Sequence, residues 1–269
     1  MISNKVSPEV LREPLGGRVI SGGVVADEVA DLGSHVVNNK LGHSGVLEAG
    51  EGTASISRAE GGRTALKPLD VEELSFLPRS YSKYFQIPGS PVLVGRRGVH
   101  GDGSCFFHAV CVALNTQNYL HVSQAKQKHI GHVFRCNFNN HVTKRRWQTF
   151  LKRHDVSTKV TFKELRQNFC TNHFWADEMM IKLVSDVLRL DLIFINGNTG
   201  EIHCGVHGKK KDPMIVILWI KESHFEPVFC IRDTGGSVKV QFMFLWETDR
   251  DIISSVLNNY RSQCKVAVD

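Results

Sequence analysis

The sequence predicts an α+β fold in which a small mixed β-sheet lies between helices. Residues 99–190 contain stretches with apolar side chains at helical spacing. Residues 192–244 instead contain short β-branched apolar runs bounded by turn residues. A chain whose helices come first and whose neighbouring strands follow is typical of a sheet covered by helices.

Composition divides the 269-residue chain into a leader and a core. Residues 1–75 contain no Phe, Tyr, Trp or Cys but 11 of the 23 glycines, so they bury too little apolar surface to offset the entropy of ordering. We expect residues 1–80 to be a disordered, Gly-rich tail and residues 81–231 to form the core. Residues 232–269 are expected to add a strand and a helix that complete or extend it.

Charge and cysteine content narrow the class of protein. A net charge of +6 permits an acidic partner without requiring one. Seven cysteines without paired spacing favour a reducing compartment and argue against a disulfide framework. No run of 18 apolar residues and no signal peptide is present, so we expect a cytoplasmic protein without a membrane partner.

The first predicted helix begins at Cys105 and is buried on nearly all sides. Its apolar stripe is formed by Phe106, Ala109, Val110, Ala113 and Leu114. Two glycines flank Asp102 before it, and Ser104 is expected to cap it. The unpaired N–H groups and the dipole of a helix start favour a thiolate, so Cys105 is either a reactive nucleophile or a small buried hydrophobe.

Two further helical regions follow. The pattern of residues 123–153 is helical, and its basic side chains are Lys144, Arg145, Arg146, Lys152 and Arg153. We interpret them as a solvated face and expect no nucleic-acid partner, since only Trp147 and Phe150 offer stacking surfaces there. A clearer helix has Trp175, Met179, Leu183, Val187 and Leu190 at intervals of three or four.

Strands are predicted from short apolar runs. They cover an edge strand at residues 92–94 and further strands at 192–195, 214–220, 227–231 and 238–244. Thr234-Gly235-Gly236 predicts a hairpin between the last two, and an amphipathic helix at residues 249–260 closes the chain.

His224 lies in a predicted turn between two strands. A loop histidine is more often a surface residue, and the chain has 13 histidines. However, a cysteine at a helix start followed much later by a histidine at a strand end is the order that papain-like sites use.

Three blocks resemble the cysteine proteases of the ovarian tumour (OTU) family. Residues 102–109, Asp-Gly-Ser-Cys-Phe-Phe-His-Ala, are similar to the D-G-x-C signature around the nucleophile. Residues 175–179 are similar to the family's W-x-D-E block, and residues 224–228 to its H-aromatic-x-P block. The blocks follow the family's order and cover roughly residues 92–231, whereas nothing before about residue 90 matches.

The resemblance implies a papain-type fold and a ubiquitinyl hydrolase. Cys105 would be the nucleophile and His224 the general base, with no cofactor. Either Asp102 or Glu226 would orient His224, with Asp102 preferred. The backbone N–H groups of Asp102 and Cys105 would stabilise the oxyanion.

The implied substrate is ubiquitin, or a ubiquitin-like protein, joined through an isopeptide bond. Gly103, Trp175 and Phe225 are expected to line a narrow cleft for its Gly-Gly tail. The compact core is similar to those of viral-type members, and the leader suits a cellular enzyme as well as a viral one. A viral member would act in the host cytoplasm. Two alternatives stay open: a catalytically inactive ubiquitin-binding module on the same fold, and a basic nucleic-acid-binding protein.

A short run of metal-ligating residue types occurs at residues 203–207, His-Cys-Gly-Val-His. A zinc site needs a further pair of donors at short spacing, and the sequence offers none beside this run. We therefore expect no metal.

Overall fold

The computed structural model describes residues 65–87, 89, 92–155, 158–171, 176–203, 212–221, 223–233 and 238–264. Its helices are α1 (Arg79–Ser82), α2 (Cys105–Leu114), α3 (Gln124–His141), α4 (Lys144–Arg153), α5 (Phe162–Asn168), α6 (Glu178–Leu188) and α7 (Arg250–Cys264). Its strands are β1 (Leu74–Phe76), β2 (Leu93–Arg97), β3 (Asp191–Asn196), β4 (Ile202–His203), β5 (Met214–Ile220), β6 (His224–Asp233), β7 (Val238–Gln241) and β8 (Met243–Phe244). Short 3₁₀ segments follow α1 and α2.

The strands that the structure describes form one mixed sheet in the order β1-β2-β6-β5-β3-β4. β7 pairs with β6, and β8 pairs with β5. β3 and β5 are parallel, whereas the other pairs among the described strands are antiparallel. β6 lies between β2 and β5, so hydrogen bonds hold this strand on both sides.

Helices cover both faces of the sheet. Along β3, Leu192 and Phe194 face a cluster that includes residues of α2 to α6, whereas Ile193 and Ile195 face a second cluster with residues of α1 and α7. This alternation is the strand periodicity of two, applied to a strand buried on both faces. The predicted α+β architecture, a mixed sheet between helices, is confirmed.

The boundary between leader and core lies earlier than residue 80. β1 pairs with β2, and Leu77 is buried, so the part of the expected tail from residue 65 onward belongs to the fold. Strand pairing uses backbone groups, and a count of aromatic residues does not detect it. β2 is consequently an internal strand, not the edge strand expected at residues 92–94, and residues 1–64 lie outside the described residues.

Three predicted elements have different bounds in the structure. The helical region at 123–153 is two helices, because the Thr143 side chain accepts a hydrogen bond from the N–H of Arg146 and starts α4. The helix expected to start near residue 175 starts after Asp177, whose carboxylate accepts from the N–H of Met180 at 2.8 Å. The strand expected at 238–244 is split between β7 and β8 because each pairs with a different neighbour.

The cysteines include both free thiols and a disulfide. The free cysteines are Cys105, Cys111, Cys136, Cys170 and Cys230. Cys264 is disulfide-bonded, so the expectation of a chain without a disulfide framework fails at this residue. Within the described part of the chain, no helix has both the length and the hydrophobicity that crossing a bilayer requires.

Candidate active site

Cys105 is the first residue of α2, which packs against β6. Every residue of this helix from Cys105 to Ala113 is buried. The Sγ atom of Cys105 lies 3.6 Å from the carbonyl oxygen of Ser223, the residue before β6. The helix therefore directs its first turn, with its unpaired N–H groups, at the beginning of β6.

His224 is the first residue of β6, and its side chain meets the Cys105 thiol. Both side chains line the same cleft, and the Cys105 thiol acts on the titration of the His224 ring. Cys105 and Ser223, the residue before His224, are 118 positions apart in the sequence. A Cβ atom placed on Gly101 would lie 3.8 Å from Nδ1 of His224, so the loop before α2 passes close to the ring. The structure thus brings together the two residues that the sequence analysis selected as nucleophile and base.

The surroundings of His224 favour its protonated form. Burial by itself lowers the pKa of the ring, but the interactions with Cys105 and Glu226 outweigh it and raise the pKa to about 9. An imidazolium beside a thiol favours the thiolate, which is the nucleophilic form.

Glu226 lies behind His224 on the same side of β6. Its carboxylate is fully buried, and Oε1 lies 3.5 Å from Nε2 of His224. This distance is longer than a hydrogen bond, and the buried Nε2 atom has no hydrogen-bond partner among the described residues. Oε2 accepts a 2.8 Å hydrogen bond from Nη1 of Arg96 on β2, and Oε1 accepts one of 2.6 Å from the N–H of Leu69. These bonds fix the carboxylate where it can orient the imidazole.

Asp102 does not contact His224. Both of its carboxylate oxygens lie 3.2 Å from Nε2 of His108, and Oδ1 accepts from the N–H of Ser104 at 3.0 Å. Burial raises the pKa of Asp102, but these bonds outweigh it, so the pKa is lowered overall. His108 is fully buried and its Nδ1 lies 2.8 Å from the Tyr119 hydroxyl.

The expected order of preference between the two carboxylates is therefore reversed. The geometry favours Glu226 over Asp102 as the residue that orients His224. Asp102 instead connects the loop before Cys105 to the buried His108 ring, whose other nitrogen is hydrogen-bonded to Tyr119.

A buried arginine from α3 holds the same loop from its other side. Nη1 of Arg135 donates to the carbonyl oxygen of Gly103 at 2.9 Å and to the Ser104 hydroxyl at 3.2 Å. The peptide unit between Gly103 and Ser104 is thus bound at its carbonyl by Arg135 and at its N–H by Asp102. Gly103 has φ +81°, a conformation that favours glycine. Ser104 precedes α2 but makes no side-chain cap, contrary to expectation, because its hydroxyl faces Arg135.

A cleft of about 340 Å³ opens over the thiol and the imidazole. Its lining residues are Pro68, Leu69, Asp70, Val71, Val99, Gly101, Gly103, Cys105, Ser223 and His224. Two of these lining residues are glycines, which leaves room for an extended peptide backbone above the sulfur.

The expected substrate-binding residues have different positions. Gly103 lines the cleft. Phe225 does not, because strand alternation turns it into the core, where its ring lies 5.7 Å from Phe106 and 6.0 Å from Phe194. Its assignment to substrate binding is wrong, and Trp175 lies outside the described residues.

Sequence reasoning missed four contributors to the site: Arg96, His108, Arg135 and residues 66–71. His108 lies three residues after Cys105, within the block similar to the D-G-x-C signature, and this position was the only indication in the sequence that it contributes to the site. Arg96 and Arg135 carry no local signal, because only the folded chain places them beside Glu226 and Gly103.

A thiol at a helix start, with a histidine beside it and a buried carboxylate behind the ring, is the combination of residues that papain-type cysteine protease sites use. Residues 100–225 match the family model described as OTU-like cysteine protease. This match confirms the resemblance that the three sequence blocks predicted. No curated protein matches the sequence.

Several solved structures are similar to the chain. An OTU domain in complex with ubiquitin has 18% identity and a TM-score of 0.43, with 67% of this chain and 93% of that chain covered. The OTUD1 OTU domain has 14% identity and a TM-score of 0.39, with 56% and 93% covered. The Hazara virus OTU bound to ubiquitin has 13% identity and a TM-score of 0.38, with 55% and 94% covered.

Proposed function

We propose that this protein is a hydrolase that cleaves the isopeptide bonds of ubiquitin or ubiquitin-like conjugates through an acyl-enzyme on Cys105. The observation that carries the proposal is that Cys105 and His224 line one open cleft, with the Cys105 thiol acting on the His224 ring, within the residues that match the OTU-like cysteine protease model. The chemistry follows from the atoms that meet there.

Acylation begins when His224 takes the thiol proton and the thiolate attacks the isopeptide carbonyl carbon. The carbonyl oxygen becomes an oxyanion, and the backbone N–H groups of Asp102 and Cys105 stabilise it, each by about 3 kcal/mol. The hydrogen bond from Arg135 to the carbonyl oxygen of Gly103 holds this loop in one position during the reaction. The imidazolium then gives its proton to the leaving lysine amine, the C–N bond breaks, and a thioester with Cys105 remains.

Deacylation uses the same groups in reverse order. His224, now neutral, removes a proton from water, and the hydroxide attacks the thioester carbonyl. The C–S bond breaks, the carboxylate of the modifier leaves, and the proton returns to the Cys105 thiolate. Glu226 takes no part in breaking the C–N bond or the C–S bond. Its role is to hold the imidazole of His224 in orientation.

A modifier that ends in two glycines fits the shape of the cleft. Gly101 and Gly103 line the cleft together with Cys105, so an extended tail without side chains can approach the sulfur closely. A bulky residue at the end of the tail would compete for this space with His224 and residues 68–71, which line the same cleft. This space is the physical reason for proposing ubiquitin-type conjugates as substrates.

The test is cleavage of a panel of eight di-ubiquitin linkages and one ubiquitin-like conjugate. The wild-type chain is expected to cleave at least one of them and to be labelled by a ubiquitin suicide probe. Cys105→Ala and His224→Ala are expected to lose cleavage, whereas Cys136→Ser, at a partly exposed free thiol on α3, keeps it. No cleavage by the wild-type chain, or full cleavage by His224→Ala, would contradict the proposal.

Reaction of Cys105 with iodoacetamide near neutral pH distinguishes an enzyme from an inactive module. A thiol paired with an imidazolium is expected to react faster than the fully buried Cys111 in the same helix. A chain that binds ubiquitin while Cys105 stays unreactive would be a binding module on this fold.

A further inference from the structure

The chain segment before β1 runs along the cleft. We name residues 66–71 the cleft segment. At the start of the segment, the N–H of Leu66 donates to the carbonyl oxygen of Gly197 at 2.8 Å. Directly after the segment, the N–H of Glu72 donates to the carbonyl oxygen of Gly98 at 3.1 Å. The segment lies outside residues 100–225, which match the family model. It nevertheless supplies four of the residues that line the cleft.

The cleft segment binds both members of the ion pair behind His224. Nη1 of Arg96 donates to the Lys67 carbonyl oxygen and to Oε2 of Glu226, each at 2.8 Å. The N–H of Leu69 donates to Oε1 of Glu226 at 2.6 Å. Oε1 is also the oxygen that lies 3.5 Å from Nε2 of His224. The segment therefore contacts the carboxylate at the atom that faces the imidazole.

Close packing against Gly98 fixes where the segment runs. A Cβ atom at Gly98 would lie 1.8 Å from the carbonyl oxygen of Asp70 and 2.8 Å from its carbonyl carbon. Contacts under 3.0 Å with backbone atoms force a shift. Any side chain at residue 98 would therefore push the segment away from β2 and from Glu226.

We propose that the cleft segment is a working part of the active site, in which the backbone N–H of Leu69 is a positioning group that holds Glu226 beside His224. This inference rests on the proposed function, because it assigns the segment a part in the same reaction. A hydrogen bond from an N–H to an ionised carboxylate is stronger than a neutral one and fixes the direction of the oxygen. Without it, both oxygens of Glu226 are free to turn toward the Arg96 guanidinium.

Four titratable or charged groups of the described residues surround the His224 ring. Cys105 faces it from α2, and Glu226 from its own strand. Arg96 lies behind Glu226 on β2, and Asp70 lines the cleft on the segment itself. Displacement of Glu226 removes the negative partner that supports the imidazolium, so the pH at which His224 deprotonates is expected to fall.

The experiment uses three variants of the full chain. Leu69→Pro removes the N–H donor. Gly98→Ala keeps the donor but displaces the segment. Leu69→Ala keeps the donor and trims the side chain that lines the cleft. Leu93→Ala is the control for Gly98→Ala, because Leu93 is an exposed side chain of β2, the strand that Gly98 follows.

The first readout is the rate of alkylation of Cys105 by iodoacetamide against pH, followed on the peptide that contains Cys105. The upper inflection of this profile reports deprotonation of His224. It is expected to move to lower pH in Leu69→Pro and Gly98→Ala, and to stay in place in Leu69→Ala and Leu93→Ala. With a ubiquitin substrate, kcat is expected to fall on the order of tenfold in the first two variants. Leu69→Ala is expected to change KM instead.

The outcomes separate this inference from the proposed function. If the wild-type chain cleaves no conjugate but the inflection moves as expected, the proposed function fails and the positioning role stands. If the wild-type chain cleaves and all variants share its inflection and kcat, the positioning role is overturned alone. Should the variants fail to fold, hydrogen exchange of the wild-type Leu69 amide decides: protection supports the bond to Glu226, and exchange at the unprotected rate overturns it.

Discussion

Replacing Glu226 by Gln tests how much of the His224 charge depends on a buried carboxylate. The pKa of His224 rises from an ordinary 6.5 to about 9, even though burial alone lowers it. That difference corresponds to about 3 kcal/mol of preference for the protonated ring in the folded chain. Gln keeps the size of Glu226 but removes its negative charge, so only the contribution of Cys105 remains.

The expected effect has a defined direction in two measurements. The high-pH limb of kcat/KM is expected near pH 9 in the wild type, because the pKa of His224 is raised to about 9, and is expected to move toward 6.5 by about one pH unit in the variant. The maximum rate is expected to fall on the order of 10²-fold, since loss of the orienting carboxylate in a comparable triad is more costly still. Glu247→Gln, at an exposed glutamate, serves as the control and is expected to change neither.

Stability gives an independent measure of the same interaction. Because the folded-state pKa of His224 is raised, the stabilisation is fully present below pH 6.5 and is lost as the pH rises through about 9. Denaturant unfolding of the wild-type chain should show this loss, and Glu226→Gln should reduce it. If Glu226→Gln matches the wild type both in the high-pH limb of kcat/KM and in the pH dependence of its stability, Glu226 does not raise the pKa of His224 and the reasoning is refuted.

Three further substitutions test other parts of the site. Gly131→Ala places a Cβ 2.1 Å from the His108 ring, so denaturant unfolding should show a loss of about 1–3 kcal/mol, and unchanged stability would contradict this packing. Arg135→Lys keeps the charge but not the planar donors that hold Gly103, so steady-state kinetics should show a lower kcat with little change in KM. Phe225→Ala should lower stability by about 3–5 kcal/mol and leave KM roughly unchanged; an effect on KM alone would restore Phe225 to the cleft.

The architecture was predictable because burial produces periodic sequence patterns. β5 occupies residues 214–220, as its apolar run predicts, and α2 begins at Cys105, where the glycines end. β1 and the cleft segment leave no such pattern. They join the fold mainly through backbone hydrogen bonds, which almost any residue can make.

The orienting carboxylate could not be chosen from sequence. Asp102 and Glu226 both stand near a presumed catalytic residue, and the choice depends on contacts between distant parts of the chain. His108 engages Asp102, whereas Arg96, from a neighbouring strand, fixes Glu226. The position of Phe225 could have been predicted from the sequence. The strand alternation that puts Glu226 on the same face as His224 puts Phe225 on the opposite face.

Because α2 is buried on every side, the position of the Cys105 sulfur depends on the whole domain remaining folded. Nine consecutive residues, starting with Cys105, are shielded from solvent, so this helix has no exposed face along which it could fray separately. Its amide protons should exchange only when the entire domain opens. Heat inactivation of the thiol should therefore coincide with cooperative melting, without an earlier local loss of activity.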